Sequence, residues 1–294
     1  MVQRRLGLAL RARVAGEDAP GRAQRIWGTP GDRWFTPEDP IWRVHADASM
    51  FAGGIASLLL QSLHPLAMAG VAGHSGYKSD PWGRLQRTSH YIATTTYGTI
   101  EDAEAAIATV RAVHERVRGR DEHGRPYRAG DPHLLLWVHV AEIDSFLRAH
   151  QAFGAHPLSQ QESDRYVEQT GVAARLLGVP EPPTDVLSLR RVLGSYRPEL
   201  EGTAAAREAA RFLLLDPPLP LVARPGYGTL ASGGVSLLPG WARTMLGIPV
   251  PGFVARRLAQ PLGQIGTAAV RWGMSGLQAR RQDLDGQALR SGEA

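Results

Sequence analysis

Three observations predict an all-α fold, built as a single globular multi-helix domain. Apolar residues recur at helical spacing through most of the chain. Asp, Ser and Pro stand where helices would begin, and glycines where they would end. No segment carries a sustained run of alternating strand signals, and no repeat at a fixed period is present. At 294 residues, 43% of them hydrophobic and 21% charged, the chain is long enough to bury a core of its own.

Residues 1–38 are rich in Arg, Gly, Pro and Asp without sustained periodicity and read as a loosely ordered lead-in. A helical domain is expected over 39–275 and a polar tail over 276–294. Within the domain the pattern turns helical at Pro40, and Asp47 or Ser49 can cap the apolar run over 50–72. Pro65 should kink or divide that run. Asp80-Pro81 opens a helix to about Tyr97, and Glu101 starts another that Gly119 stops. The polar, hairpin-like stretch 120–130 reads as a loop, after which Asp131-Pro132 caps a long helix over 133–153. Ser159 and Glu162 form a capping-box pattern for a helix that Gly178 ends. Shorter helices are expected over 187–196, 203–215, 237–246 and 253–272, separated by Pro180 to Pro183 and by Pro217-Pro218-Leu219-Pro220. Eight to ten helices result.

Ten histidines and no cysteine exclude disulfides, thiolate metal sites, a catalytic cysteine and thiol-attached haem. Any metal or cofactor chemistry must run through imidazole, carboxylate or hydroxyl. The net charge of +5 is carried by arginine, since Lys78 is the only lysine. The basic residues are scattered and lack interleaved aromatics, so nucleic acid is not an expected partner. Arg4, Arg5, Arg11 and Arg13 at one end and Arg280 and Arg281 at the other suit solvent or contact with a membrane surface.

Arg4-Arg5 before Leu6-Gly7-Leu8-Ala9-Leu10 superficially resembles a twin-arginine signal. Arg11 and Arg13 end that apolar run too soon for a secretory segment, so a cytoplasmic location is expected. The run over 50–72 is long enough to span a bilayer but contains Gln61, His64 and Pro65. Burial in a helical core is the expectation, with no transmembrane span.

The motif search sorts largely by exclusion. There is no Gly-x-x-x-x-Gly-Lys phosphate loop, no His-Glu-x-x-His and no Glu-x-x-His pair. Gly73-His74-Ser75-Gly76 sets a serine beside a histidine, but no strand precedes it as a nucleophile elbow requires. What remains is histidine on apolar helix faces. His114 falls in step with Ile107, Val110 and Val117, and a buried imidazole must find a hydrogen-bond partner or a metal. His139 lies one turn before Glu142, and His64 stands between Gln61 and Pro65. Arg84, Arg87 and Thr88 share one helix face, where two guanidiniums and a hydroxyl can hold an anion or form local salt bridges on a solvated face.

The order of these motifs carries a resemblance. Leu60-Gln61-Ser62-Leu63-His64-Pro65, Gly73-His74-Ser75, Asp80-Pro81-Trp82-Gly83-Arg84-Leu85-Gln86-Arg87-Thr88, Tyr97-Gly98-Thr99, Val110-Arg111-Ala112-Val113-His114, Tyr127-Arg128-Ala129-Gly130-Asp131-Pro132 and Leu136-Trp137-Val138-His139 follow one another as in the DUF2236 family. That family is also called the oxygenase MpaB and rubber-oxygenase (latex-clearing protein) catalytic domain, and the similarity covers about residues 40–250. It implies an all-α domain enclosing a pocket for non-covalent haem b. Characterised members use it to activate dioxygen and cleave a carbon–carbon bond beside a double bond in polyisoprenoid or terpenoid chains.

Carried over by position, the resemblance implies His114 as the iron ligand and Arg84 and Thr88 as haem-pocket residues. His64 is then a candidate for the open face of the haem, and His139 for second-shell support or core packing. Rubber oxygenases have a lysine just before the threonine, where this chain has Arg87, which stays charged and cannot act as a neutral ligand. No equivalent of a distal acid is evident. The expected function is a haem-dependent oxygenase acting on a small apolar unsaturated substrate and dioxygen, with an external electron donor as a further partner. A non-catalytic haem- or lipid-binding sensor or carrier is the alternative, and peroxidase-like activity of the same haem a weaker one.

Overall fold

A computed structural model describes residues 2–16, 18–74 and 78–291. The chain runs through α1 (Val2–Ala15), α2 (Ala19–Gly28), α3 (Pro40–Ala46), α4 (Met50–Gln61), α5 (Pro65–His74), α6 (Pro81–Tyr97) and α7 (Ile100–Arg116). A small antiparallel ribbon follows, β1 (Arg118–Arg120) paired with β2 (Pro126–Arg128), Gly119 opposite Tyr127. Then come α8 (Pro132–Phe153), α9 (Gln160–Leu177), α10 (Val186–Ser195), α11 (Ala204–Leu215), α12 (Arg224–Leu237), α13 (Gly240–Met245), α14 (Gly252–Val254) and α15 (Gln260–Ser291), with a π-helical turn, Ala255–Ala259, leading into α15.

Helix starts follow the side chains able to satisfy free backbone donors. Asp80 accepts from the Gly83 N–H, Asp131 from His133, and Ser159 and Glu162 close a reciprocal capping box. Thr99, rather than Glu101, caps α7, by accepting from Asp102. Gly178, at φ 123°, ends α9 in a conformation that a side chain would strain.

The core forms around α4 and α8, with α12 and α15 laid against them. Trp137 and Tyr166 are fully buried there, and the Trp137 indole donates to the Gln61 carbonyl at 3.1 Å. Three glycines, Gly233, Gly234 and Gly263, set the spacing of the inner layer. A Cβ on Gly263 would lie 2.5 Å from the Gly233 Cα, and one on Gly234 would lie 2.8 Å from Ile55 Cγ2.

Two expectations change. The 1–38 lead-in forms α1 and α2 and is pinned to the domain: Gln3 donates to the Trp272 carbonyl at 2.7 Å, and Arg33 donates to the carbonyls of Ile26, Thr29, Gly31 and Tyr97. Alpha1 shows little apolar stripe of its own and is held by packing, whereas α2 is amphipathic. The 276–294 tail continues α15 as far as Ser291. The hairpin-like stretch 120–130 forms the turn and second strand of the β1–β2 ribbon, as expected. Ser75 and Gly76, which carried the serine-nucleophile reading, lie outside the described residues.

Pro65 does divide the long apolar run. Alpha4 and α5 meet at 108°, and among the described residues no single helix is long and apolar enough to cross a membrane. Most of α4 is instead buried against α8.

Candidate functional site

Two polar constellations stand out from this apolar frame. The first is an interior group drawn from α3, α6, α8 and α9. His45 on α3 places Nδ1 2.8 Å from Thr96 Oγ1, and the Tyr166 hydroxyl lies 3.4 Å from its Nε2. A neutral imidazole satisfies both, donating to the threonine and accepting from the phenol. Burial drives the His45 pKa down to about 3, so the ring is uncharged at neutral pH.

His139 and Glu142 sit one turn apart on α8, facing the same way. Burial, with a smaller contribution from the Arg175 charge, lowers the His139 pKa to about 4, and burial raises the Glu142 carboxyl to about 7. The Glu142 carboxyl adds to burial in raising the Tyr91 and Tyr166 phenols, so its charge is felt at both. Neither His139 nor Glu142 is sealed completely; each retains part of its accessible surface. Groups both desolvated and still accessible are those that line a crevice within a fold.

His114 lies near the end of α7, half-buried, its pKa lowered by desolvation. Its Nδ1 is buried and has no hydrogen-bond partner; the same is true of His139 Nε2 and Thr94 Oγ1. Each such atom costs about 1–3 kcal/mol while unmatched. The carbonyl or carboxylate partner expected for the second nitrogen of an iron-bound histidine is therefore not in place at His114 Nδ1. An unpartnered nitrogen on a desolvated imidazole, as at His114 and at His139, is the chemistry by which a haem iron is held.

Arg84, Thr88, Tyr91 and Thr95 fall on one face of α6. Exposure decreases along that face, from exposed Thr88 through half-buried Tyr91 to buried Thr95, and Arg84 is half-buried. Arg87 is turned outward and donates to Asp80 Oδ2 at 3.1 Å, which ties it to the start of its own helix.

His64 takes part in the second constellation. It is 3% exposed, in the break between α4 and α5, against the Trp137 and Tyr196 rings. Its Nε2 lies 3.6 Å from Glu199 Oε2, which is itself 2.8 Å from His133 Nε2. Desolvation lowers the His64 pKa, partly offset by the Glu199 charge.

Sequence reading missed His45, Tyr166 and Arg175 in the first group and His133 with Glu199 in the second. His45 stands on a seven-residue helix too short to display a periodic face, and His133 and Glu199 are 66 residues apart. The Asp131-Pro132 cap, which fixes where His133 falls on α8, was the only local signal.

A comparison with protein families matches residues 42–272 to the ER-bound oxygenase mpaB/B′/rubber oxygenase catalytic domain. The chain belongs to this family. Searches of curated proteins and of solved structures each found no match. The matched region takes in both constellations and runs from within α3 into α15. Membership makes the chain an oxygenase-type oxidoreductase, and every side chain described above lies within the part that the family shares.

Proposed function

We propose that the protein is a haem b-dependent oxygenase that uses dioxygen to oxidise or cleave an apolar, unsaturated substrate of isoprenoid or terpenoid type. The observation that carries this reading is His114, a neutral, half-buried imidazole with an unpartnered nitrogen inside a family of oxygenase domains. His114 would hold the iron, with Arg84 and Thr88 binding or shaping the polar edge of the haem; His139 supports the pocket wall. A haem bound there supplies the centre for dioxygen activation that no side chain of this chain can provide. Around it, the low His139 and His45 pKa values keep the interior imidazoles uncharged. Glu142, with a pKa of about 7, holds or gives up a proton near neutral pH beside Tyr91 and Tyr166, in the role for which no acid is evident from sequence. His64 faces Glu199 and His133 instead, and has no part in this proposal.

The partners proposed are the apolar substrate, dioxygen and an external electron donor. Protein expressed with sufficient iron should show a Soret band that His114→Ala abolishes or strongly diminishes. A folded wild-type protein that stays colourless with haem supplied would overturn the reading. One observation favours the second reading, a non-catalytic haem or lipid binder: Arg87, in the place of the family's lysine, is engaged outside the pocket by Asp80. Oxygen uptake with a reductant and a panel of isoprenoids separates the two, since a pure binder consumes no more than free haem does.

A further inference from the structure

The second constellation has a chemistry of its own. Glu199 Oε2 is flanked by His133 Nε2 at 2.8 Å and His64 Nε2 at 3.6 Å, and one ligating atom from each residue lies within 4.8 Å of the other two. The tautomer of His133 follows from its neighbour. The Tyr196 hydroxyl lies 2.8 Å from the His133 carbonyl oxygen, to which it donates, and 3.3 Å from His133 Nδ1. Having spent its only proton on the carbonyl, the hydroxyl can only accept from Nδ1–H. With Nδ1–H so engaged, Nε2 either donates a second proton to the Glu199 carboxylate or faces it with a lone pair, a deficit that a bound cation fills.

His64 adds to the same deficit. Both of its ring nitrogens are buried without a hydrogen-bond partner, although the residue is 3% exposed. Its position is held by backbone rather than chance: the Glu201 N–H donates to the Leu63 carbonyl at 2.8 Å, joining the segment that carries Glu199 to the residue before His64. The 197–199 turn is held in turn by Arg197, whose guanidinium stacks 3.8 Å over the Trp241 ring. Two imidazole nitrogens and a carboxylate oxygen, on three separate parts of the chain, form a set that first-row divalent cations favour, Zn²⁺ among them. The His133 and Glu199 side chains are 52% and 44% exposed, so an ion can enter from solvent and keep an open coordination position there.

We propose that His64, His133 and Glu199 form a binding site for a Zn²⁺-class divalent cation, distinct from the haem site and independent of it. Bound metal would fasten the α4–α5 break, the start of α8 and the turn after α10 to one another. A neighbouring group, Glu122, His123 and Glu201, is exposed throughout, with its histidine 3.9 Å from each carboxylate; it serves as the control.

The test is equilibrium dialysis of the full chain, loaded with haem, against Zn²⁺ alone, with zinc and iron counted separately. Wild type should take up one Zn²⁺ that His133→Ala and Glu199→Gln each weaken by at least about tenfold, with the iron content unchanged. His123→Ala should leave that uptake intact. Both informative substitutions fall on half-exposed side chains and spare the fold, and circular dichroism verifies this. The proposal is overturned if wild type takes up no stoichiometric Zn²⁺, which leaves a proton between Glu199 and His133, or if uptake survives both variants. Loss of the same ion in His123→Ala overturns it equally.

Discussion

At Glu142, burial moves the carboxyl from 4.5 to about 7, and the sign of the resulting pH dependence follows directly. The folded state holds a proton that the unfolded state releases above about pH 4.5, so stability contributed by the neutral carboxyl is lost as pH rises through 7. Glu142→Gln, which cannot ionise, should therefore gain up to about 3 kcal/mol over wild type at about pH 8 and almost nothing at about pH 4. Denaturant melts at the two pH values check this, and an equal effect at both would refute the assignment. The buried histidines act in the opposite sense. With folded values near 3 for His45 and 4 for His139, their stabilisation is complete above the unfolded value of 6.5 and drains away as pH falls below it. Part of this pattern was open to sequence reading: His114 and His139 are polar residues on apolar stripes, a mismatch that periodicity exposes. His45, Tyr166 and Arg175 give no such sign, because what makes them functional neighbours is the approach of α3 and α9 to α8.

Among the helices, several ends were legible from residue type, at the caps Asp80, Asp131 and Ser159 and at the stop Gly178, though not at Thr99 or Asp185, whose side chains also cap. They were not legible where packing decides. Alpha1 has little pattern of its own and packs along α15, whereas α2 is amphipathic and its C-terminal end is held by the Arg33 hydrogen bonds. The β1–β2 ribbon was legible as a hairpin-like stretch, but the extent and register of its strands depend on pairing across the turn. The contact of α12 with α15 is of the same tertiary kind, and it makes a sharp prediction. In Gly263→Ala the new methyl would meet the Gly233 Cα at 2.5 Å and the Phe153 ring at 2.9 Å, so the helices must separate, at a cost of about 1–3 kcal/mol. Gly194→Ala, on α10 with no atom within 4 Å of the new methyl, should be neutral or stabilise by about 0.4–1 kcal/mol. Thermal melts of the two variants should move in opposite directions or differ by several degrees; equal melting points would contradict the close-packed geometry.

Over the whole molecule, apolar surface is distributed unevenly. Leu258, Leu262, Ile265 and Trp272 follow one stripe of the last helical segment, and Phe253 precedes them. Phe253, Leu258 and Ile265 are more than 60% exposed, and Leu221 and Val222 on the turn before α12 are 76% and 92% exposed. Arg256 and Arg257 are exposed beside them. Apolar side chains next to arginines suit the interface of an anionic membrane, the phase in which an isoprenoid substrate would reside. Sedimentation with anionic vesicles should carry down the wild-type protein, and Phe253→Ser combined with Leu258→Ser should reduce the bound fraction several-fold. Binding unaffected by the double change would exclude this face as the point of contact.

Arg271 donates to both carboxylate oxygens of Asp47 and to the Phe153 carbonyl, closing the end of the family-matched region onto the start of α4 and the end of α8. Trimming the chain from its C-terminus therefore meets a threshold set by a single guanidinium. A chain shortened to residue 275 keeps the clasp, whereas one ending before Arg271 leaves Asp47 and the last turn of α8 without their partner.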